Sequence, residues 1–154
     1  MLEVGTNTYV TVQEANSYII QHYMSHEEEY TLWFEQSTLN RSTILRRAAN
    51  NLERLPYVGK KSKKVQQLAF PRWPEVQVPL AVGYAQIEEA LALLLPETQD
   101  TLKETQERIR RGLRSYSIGQ LSESFRVHDT TKNVLNSLTA QELLAPYLSG
   151  GYRI

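Results

Sequence analysis

The chain has no cysteine in its 154 residues. Disulfides, thiolate metal sites and cysteine nucleophiles are therefore excluded. It has no net charge either, because 17 basic side chains balance 17 acidic ones. No global field is available to hold nucleic acid, and any such binding has to be local. Aspartate is confined to Asp100 and Asp129. The N-terminus lacks a basic region followed by an apolar core, so no signal peptide is expected. The longest apolar window, Pro79 to Leu95, is interrupted by Gln86, Glu88 and Glu89. It reads as a buried amphipathic helix rather than a membrane span, and no membrane partner is expected. There is no internal repeat and no long low-complexity run. The length suits one domain with a real core, and the 41% apolar fraction is ordinary for a globular protein.

What the chain does have is concentrated between Leu68 and Leu95. There an aromatic loop broken by Pro71, Pro74 and Pro79 runs into a long apolar helix. Each proline fixes φ and removes a donor, so the segment is stiff and cannot join a central strand. It presents Phe70, Arg72 and Trp73 beside a packing helix. These features suit a docking element rather than a catalytic one.

The rest of the chain reads as mainly α: a small helical bundle with a β-hairpin and an extended C-terminal tail. Thr11 and Glu14 have capping-box spacing, and Ala15, Tyr18, Ile19, His22 and Tyr23 share one helix face. Ser25 is expected to cap a second helix running from Glu27 to Glu35. A third starts at Ser37 or Thr38 and runs to about Leu55. It buries Ile44, Leu45, Ala48, Leu52 and Leu55 and turns Arg46, Arg47, Asn51 and Arg54 outward. Pro56 and Gly59 end it, and the following run Gly59 to Lys64 is too polar to pack. A fourth helix carries Leu80, Tyr84, Ile87, Leu91 and Leu94 toward the core until Pro96. Glu97 to Arg111 is charged, with i,i+4 pairs Glu104–Arg108 and Glu107–Arg111, and reads as an exposed helix or arm. Alternation near 113–127 changes parity at Gly119-Gln120, which predicts a hairpin. Thr139 and Glu142 give a second capping box. Pro146 is expected to kink or tighten the last helix, and Gly150 to Ile154 form a tail. One domain over 1–154 is expected, with a helical core at about 11–96 and 136–148, a charged arm and hairpin at about 97–127, and a tail at 149–154.

Catalytic and metal chemistry find little support. His22 and His26 lie four apart beside Glu27, Glu28 and Glu29, but Ser25 falls between them and breaks a shared face. His128-Asp129 lies among serines without a G-x-S-x-G elbow, and Gly59-Lys60-Lys61-Ser62 lacks the first glycine of a phosphate loop. No catalytic residue, metal ligand or cofactor is assigned. Lys60, Lys61, Lys63 and Lys64 lie close to Arg54 and Arg72 in sequence and are the candidate DNA-facing group. Their contact with phosphates would be sequence-independent and salt-sensitive. The alternative for such a run is a solvated loop. Tyr57, Phe70 and Trp73 can stack on bases or serve as core and interface aromatics.

Taken in order, these segments resemble a family of small tailed-phage proteins. The likeness is carried by Tyr9 to Tyr18, Ile44 to Leu52, the basic loop, Leu68 to Arg72 with Val78-Pro79, Ala85 to Leu95, Ile118 to Phe125 and Leu143 to Leu148. Such proteins look like head–tail connector adaptors, and some relatives carry the label "DnaT-like single-stranded-DNA-binding protein". The charged stretch Glu97 to Arg111 is longer than the family pattern. The resemblance implies a homo-oligomeric ring of about twelve subunits, closed by heterologous contacts. The ring would dock on the portal protein and receive a stopper or tail-completion protein. Double-stranded DNA would pass its lumen with transient, non-specific contact. Its place would be the neck of the virion, after assembly in the host cytoplasm. Phe70, Arg72, Trp73, Tyr152, Arg153 and Ile154 would then serve portal or subunit contacts. The alternative is a single-stranded-DNA-binding accessory protein using Lys60 to Lys64 with Tyr57 and Trp73.

Overall fold

The computed structural model describes residues 1–112 and 135–149. Six α-helices occur among them: α1 (Val12–His22), α2 (Glu28–Glu35), α3 (Thr38–Glu53), α4 (Leu80–Leu94), α5 (Pro96–Gly112) and α6 (Leu138–Leu144). A 3-10 turn, Ala145–Tyr147, follows α6. The protein is mainly helical. No sheet forms among the described residues, where isolated bridges join Val4 to Thr8, Tyr57 to Leu148 and Lys61 to Arg72. The hairpin expected near 113–127 and the tail residues 150–154 lie outside the described residues.

Helix ends follow local chemistry. The Thr11 hydroxyl accepts from Glu14 N at 3.1 Å, and the Glu14 carboxylate accepts from Thr11 N at 2.9 Å. That is the anticipated capping box of α1. Ser37 caps α3 by accepting from Asn40 N. Two expected caps fall elsewhere. Ser25 does not cap α2; Glu27 holds the N-cap position, and its carboxylate accepts from Met24 N at 3.1 Å. Ser25 lies too far upstream of Glu28 to reach the orphan donors of the first turn. Thr139 does not cap α6, because Ser137 accepts from Ala140 N two residues earlier. Pro96 opens α5, where its missing N–H costs nothing, and Pro146 lies in the 3-10 turn, the tightening foreseen for it.

The core is built around α4, which touches α1, α2, α3, α5 and α6. Ile87 and Leu91 are buried against Ile19, Leu45, Leu52 and Leu144 in one continuous cluster. Tyr84 and Leu94 are partly buried. Leu80, expected on the same inward stripe, is instead 75% exposed. It stands in the first turn of α4 on the rim of an open cleft beside α1, where no element among the described residues covers it. At Gly83 the helix comes so close to the N-terminal segment that a Cβ there would sit 2.9 Å from Val10 Cγ1.

The three polar residues that interrupt the apolar window are buried, and each ties α4 to distant chain. Gln86 accepts from Tyr9 N at 2.8 Å and donates to Thr8 Oγ1 at 2.7 Å and to the Leu45 carbonyl at 2.8 Å. Glu88 accepts from the Tyr18 and Tyr23 hydroxyls, each at 2.6 Å. Glu89 accepts from Asn51 Nδ2 at 2.9 Å, Asn136 Nδ2 at 2.9 Å, Asn136 N at 3.2 Å and Ser137 N at 2.9 Å. Asn51, expected to face solvent, thus turns toward α4. Every buried side-chain polar atom among the described residues has a partner, as a packed interior requires.

Candidate nucleic-acid interface

The lysine loop and the proline segment form one unit. Trp73 N donates to the Lys60 carbonyl at 2.9 Å and Ser62 N to the Pro71 carbonyl at 3.1 Å. The Ser62 hydroxyl donates to the Glu75 carbonyl. Gln66 Nε2 donates to the carbonyls of Leu68 at 2.7 Å and Pro71 at 2.9 Å. The basic run is therefore held, contrary to the expectation that it is too polar to pack: hydrogen bonds replace an apolar face. Gly59 turns the chain into this run with φ near +79°, a conformation that costs glycine little.

Arg72, expected at a portal or subunit contact, and Lys61, expected to face DNA, are both committed to the loop. Arg72 Nε donates to the Val58 carbonyl at 2.6 Å, Nη2 to Gly59 at 2.5 Å and Nη1 to Ala69 at 3.1 Å. Lys61 Nζ donates to the carbonyls of Gln66 at 3.2 Å and Gln67 at 3.4 Å. Lys60 lies differently, with its ammonium 5.5 Å from the Trp73 ring centroid. Lys63 and Lys64 are exposed, and their ammonium groups meet no carboxylate or hydrogen-bond acceptor among the described residues.

The aromatics divide in the same way. Phe70 is buried, edge-on to Tyr57 at 4.7 Å, Tyr147 at 5.5 Å and Tyr9 at 6.3 Å. It anchors the base of the loop. Tyr57 donates to the Leu52 carbonyl at 2.7 Å. Burial, then the nearby Glu53 charge, push its phenol well above the usual tyrosine range, so it stays a neutral donor. Glu53 also accepts from the Tyr9 hydroxyl and from Ala69 N at 2.8 Å, pinning the start of the proline segment to α3. Trp73 is the aromatic of this group left open, at 64% exposure.

Other features offer less chemistry. The cleft between α1 and the start of α4 holds about 730 Å³, with Gln13, Ser17 and Gln21 above Val10, Val78 and Ile87. No group of three or more His, Cys, Asp or Glu converges among the described residues. His22 stacks on Tyr18 at 4.0 Å, with Nδ1 2.9 Å from the Tyr18 carbonyl. Tyr152, Arg153 and Ile154 lie outside the described residues, as do His128 and Asp129. No helix among the described residues is long and apolar enough to cross a membrane.

A family model described as "Putative DnaT-like ssDNA binding protein" matches residues 2–154. No curated protein and no solved structure matches the chain. The family match carries the DnaT-like label anticipated from the sequence and lends nothing to the connector assignment.

Proposed function

The chain belongs to the DnaT-like ssDNA-binding protein family, and from that premise we propose that it binds single-stranded DNA, without catalysis, through Lys60, Lys63, Lys64 and Trp73. The observation that supports this best is an exposed tryptophan carrying a lysine ammonium, mounted on a loop already fixed by hydrogen bonds. A base stacking on Trp73 takes the face that Lys60 covers, and the displaced ammonium is then free for a phosphate. Such stacking tolerates any base, because each has a π-face. A duplex keeps those faces inside its stack, so single strands are preferred.

Intrinsic fluorescence tests this directly. Trp33 is fully buried, so quenching by oligothymidylate reports on Trp73. Titration across salt should give a linear log–log dependence. Alanine at Lys60, Lys63 and Lys64 together should reduce its slope by about two. Trp73→Ala, followed instead by the anisotropy of dye-labelled oligothymidylate, should cost about 1–3 kcal/mol of binding. Unchanged affinity in both variants would sink the reading.

A second reading draws on exposed apolar side chains of the same region. Val65 is 89% exposed, Val76 83% and Leu80 75%. Together with the phage-protein resemblance, they support a connector ring in the virion neck. In that setting the proline segment and the tail meet portal, stopper and sister subunits, and duplex DNA passes the lumen. Electron microscopy of the protein mixed with portal should then show rings; a persistent monomer argues against this role.

A further inference from the structure

Resting on the single-stranded-DNA reading above, we propose that the solvent face of α3 is a second segment of the same DNA track, with Arg46, Arg47 and Arg54 contacting phosphates. Arg46, Arg47, Asn50 and Arg54 are all exposed and lie opposite the buried Ile44, Leu45, Ala48 and Leu52. Successive residues turn by about 100°, which gathers these four into one stripe.

The stripe has no acidic counterpart among the described residues. Its three guanidinium groups meet no carboxylate or hydrogen-bond acceptor among the described residues. Glu53, the acid nearest in sequence, is turned to Tyr9 and Ala69. Arg41, on another side of the same helix, is committed structurally: it donates to the carbonyls of Trp33 at 3.1 Å and Phe34 at 3.0 Å, closing the end of α2. The helix dipole gives a reason for a cation at Arg54, beside the C-terminus, but none for Arg46 and Arg47 in the middle.

The stripe runs into the lysine loop along the chain. Arg54 caps α3, and Lys60 follows six residues later. The connection is fixed at both ends, by Tyr57 bonded to the Leu52 carbonyl and by Arg72 holding Val58 and Gly59. Arg47 lies about 10 Å up the helix axis from Arg54. A strand following this line therefore meets cations well beyond the reach of the loop. The sites differ in kind: the loop offers a stacking surface and α3 offers phosphate contacts alone.

Oligomer length separates the two parts. The full chain is titrated with oligothymidylates of about 6 and about 20 nucleotides across a range of salt. Variants are Arg46→Gln/Arg47→Gln/Arg54→Gln and, separately, Lys60→Ala/Lys63→Ala/Lys64→Ala, each with its circular dichroism and melting curve. The arginine variant should bind the short oligomer like the parent, keep its Trp73 quenching and lose a salt slope of about two on the long one. A single Arg47→Glu should weaken the long oligomer more than Arg47→Gln. Equal parent and arginine-variant slopes on the long oligomer would overturn the α3 proposal and leave the loop assignment standing. Absence of any binding by the parent overturns both.

Discussion

Glu89 is a carboxylate held inside the protein by N–H groups with no cation among the described residues. Its oxygens take two amides from Asn136, one from Asn51 and the Ser137 backbone N–H at the start of α6. Negative charge is favourable there, at the positive end of a helix. Glu89→Gln sets an amide donor against these donors and should cost about 2–3 kcal/mol, read as a lower urea midpoint at unchanged m-value. Gly83 gives a steric counterpart. Gly83→Ala brings a methyl to 2.9 Å from Val10 Cγ1 and should cost about 1–3 kcal/mol, with Val10→Ala in the same chain restoring part of it. Purely additive effects in the double variant would contradict the contact. Neither residue was legible as structural in the sequence. Glu89 reads as a break in an apolar run, since its partners lie 38 to 48 residues away. Gly83 carries no sequence signal of its own, since Val10 is remote in the chain.

The helices themselves were largely readable, because their signals are local. The Thr11–Glu14 box, the apolar stripe of α3 and the proline in the last turn all act within a few residues. Caps failed where two candidates competed. Ser137 prevails over Thr139 because Glu89 fixes the backbone entering α6 at Ser137. The lysine loop illustrates the opposite limit, for it has order without periodicity. Its stability as an element should depend on Phe70 at its base. Phe70→Leu should cost about 1–3 kcal/mol and raise amide exchange at Ser62 and Trp73 more than in α3. Uniform acceleration across both would show that loop and body open together.

Across the whole molecule, four tyrosines share one electrostatic condition. Burial, followed by the Glu53 charge at Tyr9 and Tyr57 and by hydrogen bonding to Glu88 at Tyr18 and Tyr23, raises each phenol above its ordinary value of 10.0. In the folded chain they stay protonated at pH values where the unfolded chain has lost those protons. The stability they contribute is complete below about pH 10 and falls as pH rises through and beyond that value. Tyr9 and Tyr57 each add a slope of about 1.4 kcal/mol per pH unit there, and Tyr18 and Tyr23, nearer solvent, add less. Melting temperature should thus be flat through neutral pH and drop steeply above pH 10, with a shallower drop in Tyr57→Phe. A flat alkaline profile would mean that these phenols ionise with the protein still folded.

The joining of Asn136 and Ser137 to Glu89 also gives the architecture a seam. The chain leaves α4 at Leu95 and is stitched back onto the same helix about two turns upstream. The described ends on either side of the stretch from Pro96 to Val134 are thus both rooted on α4. Excising that stretch and splicing Leu95 to Leu135 with a short flexible bridge should spare the body, and the same stump offers an attachment point for foreign cargo.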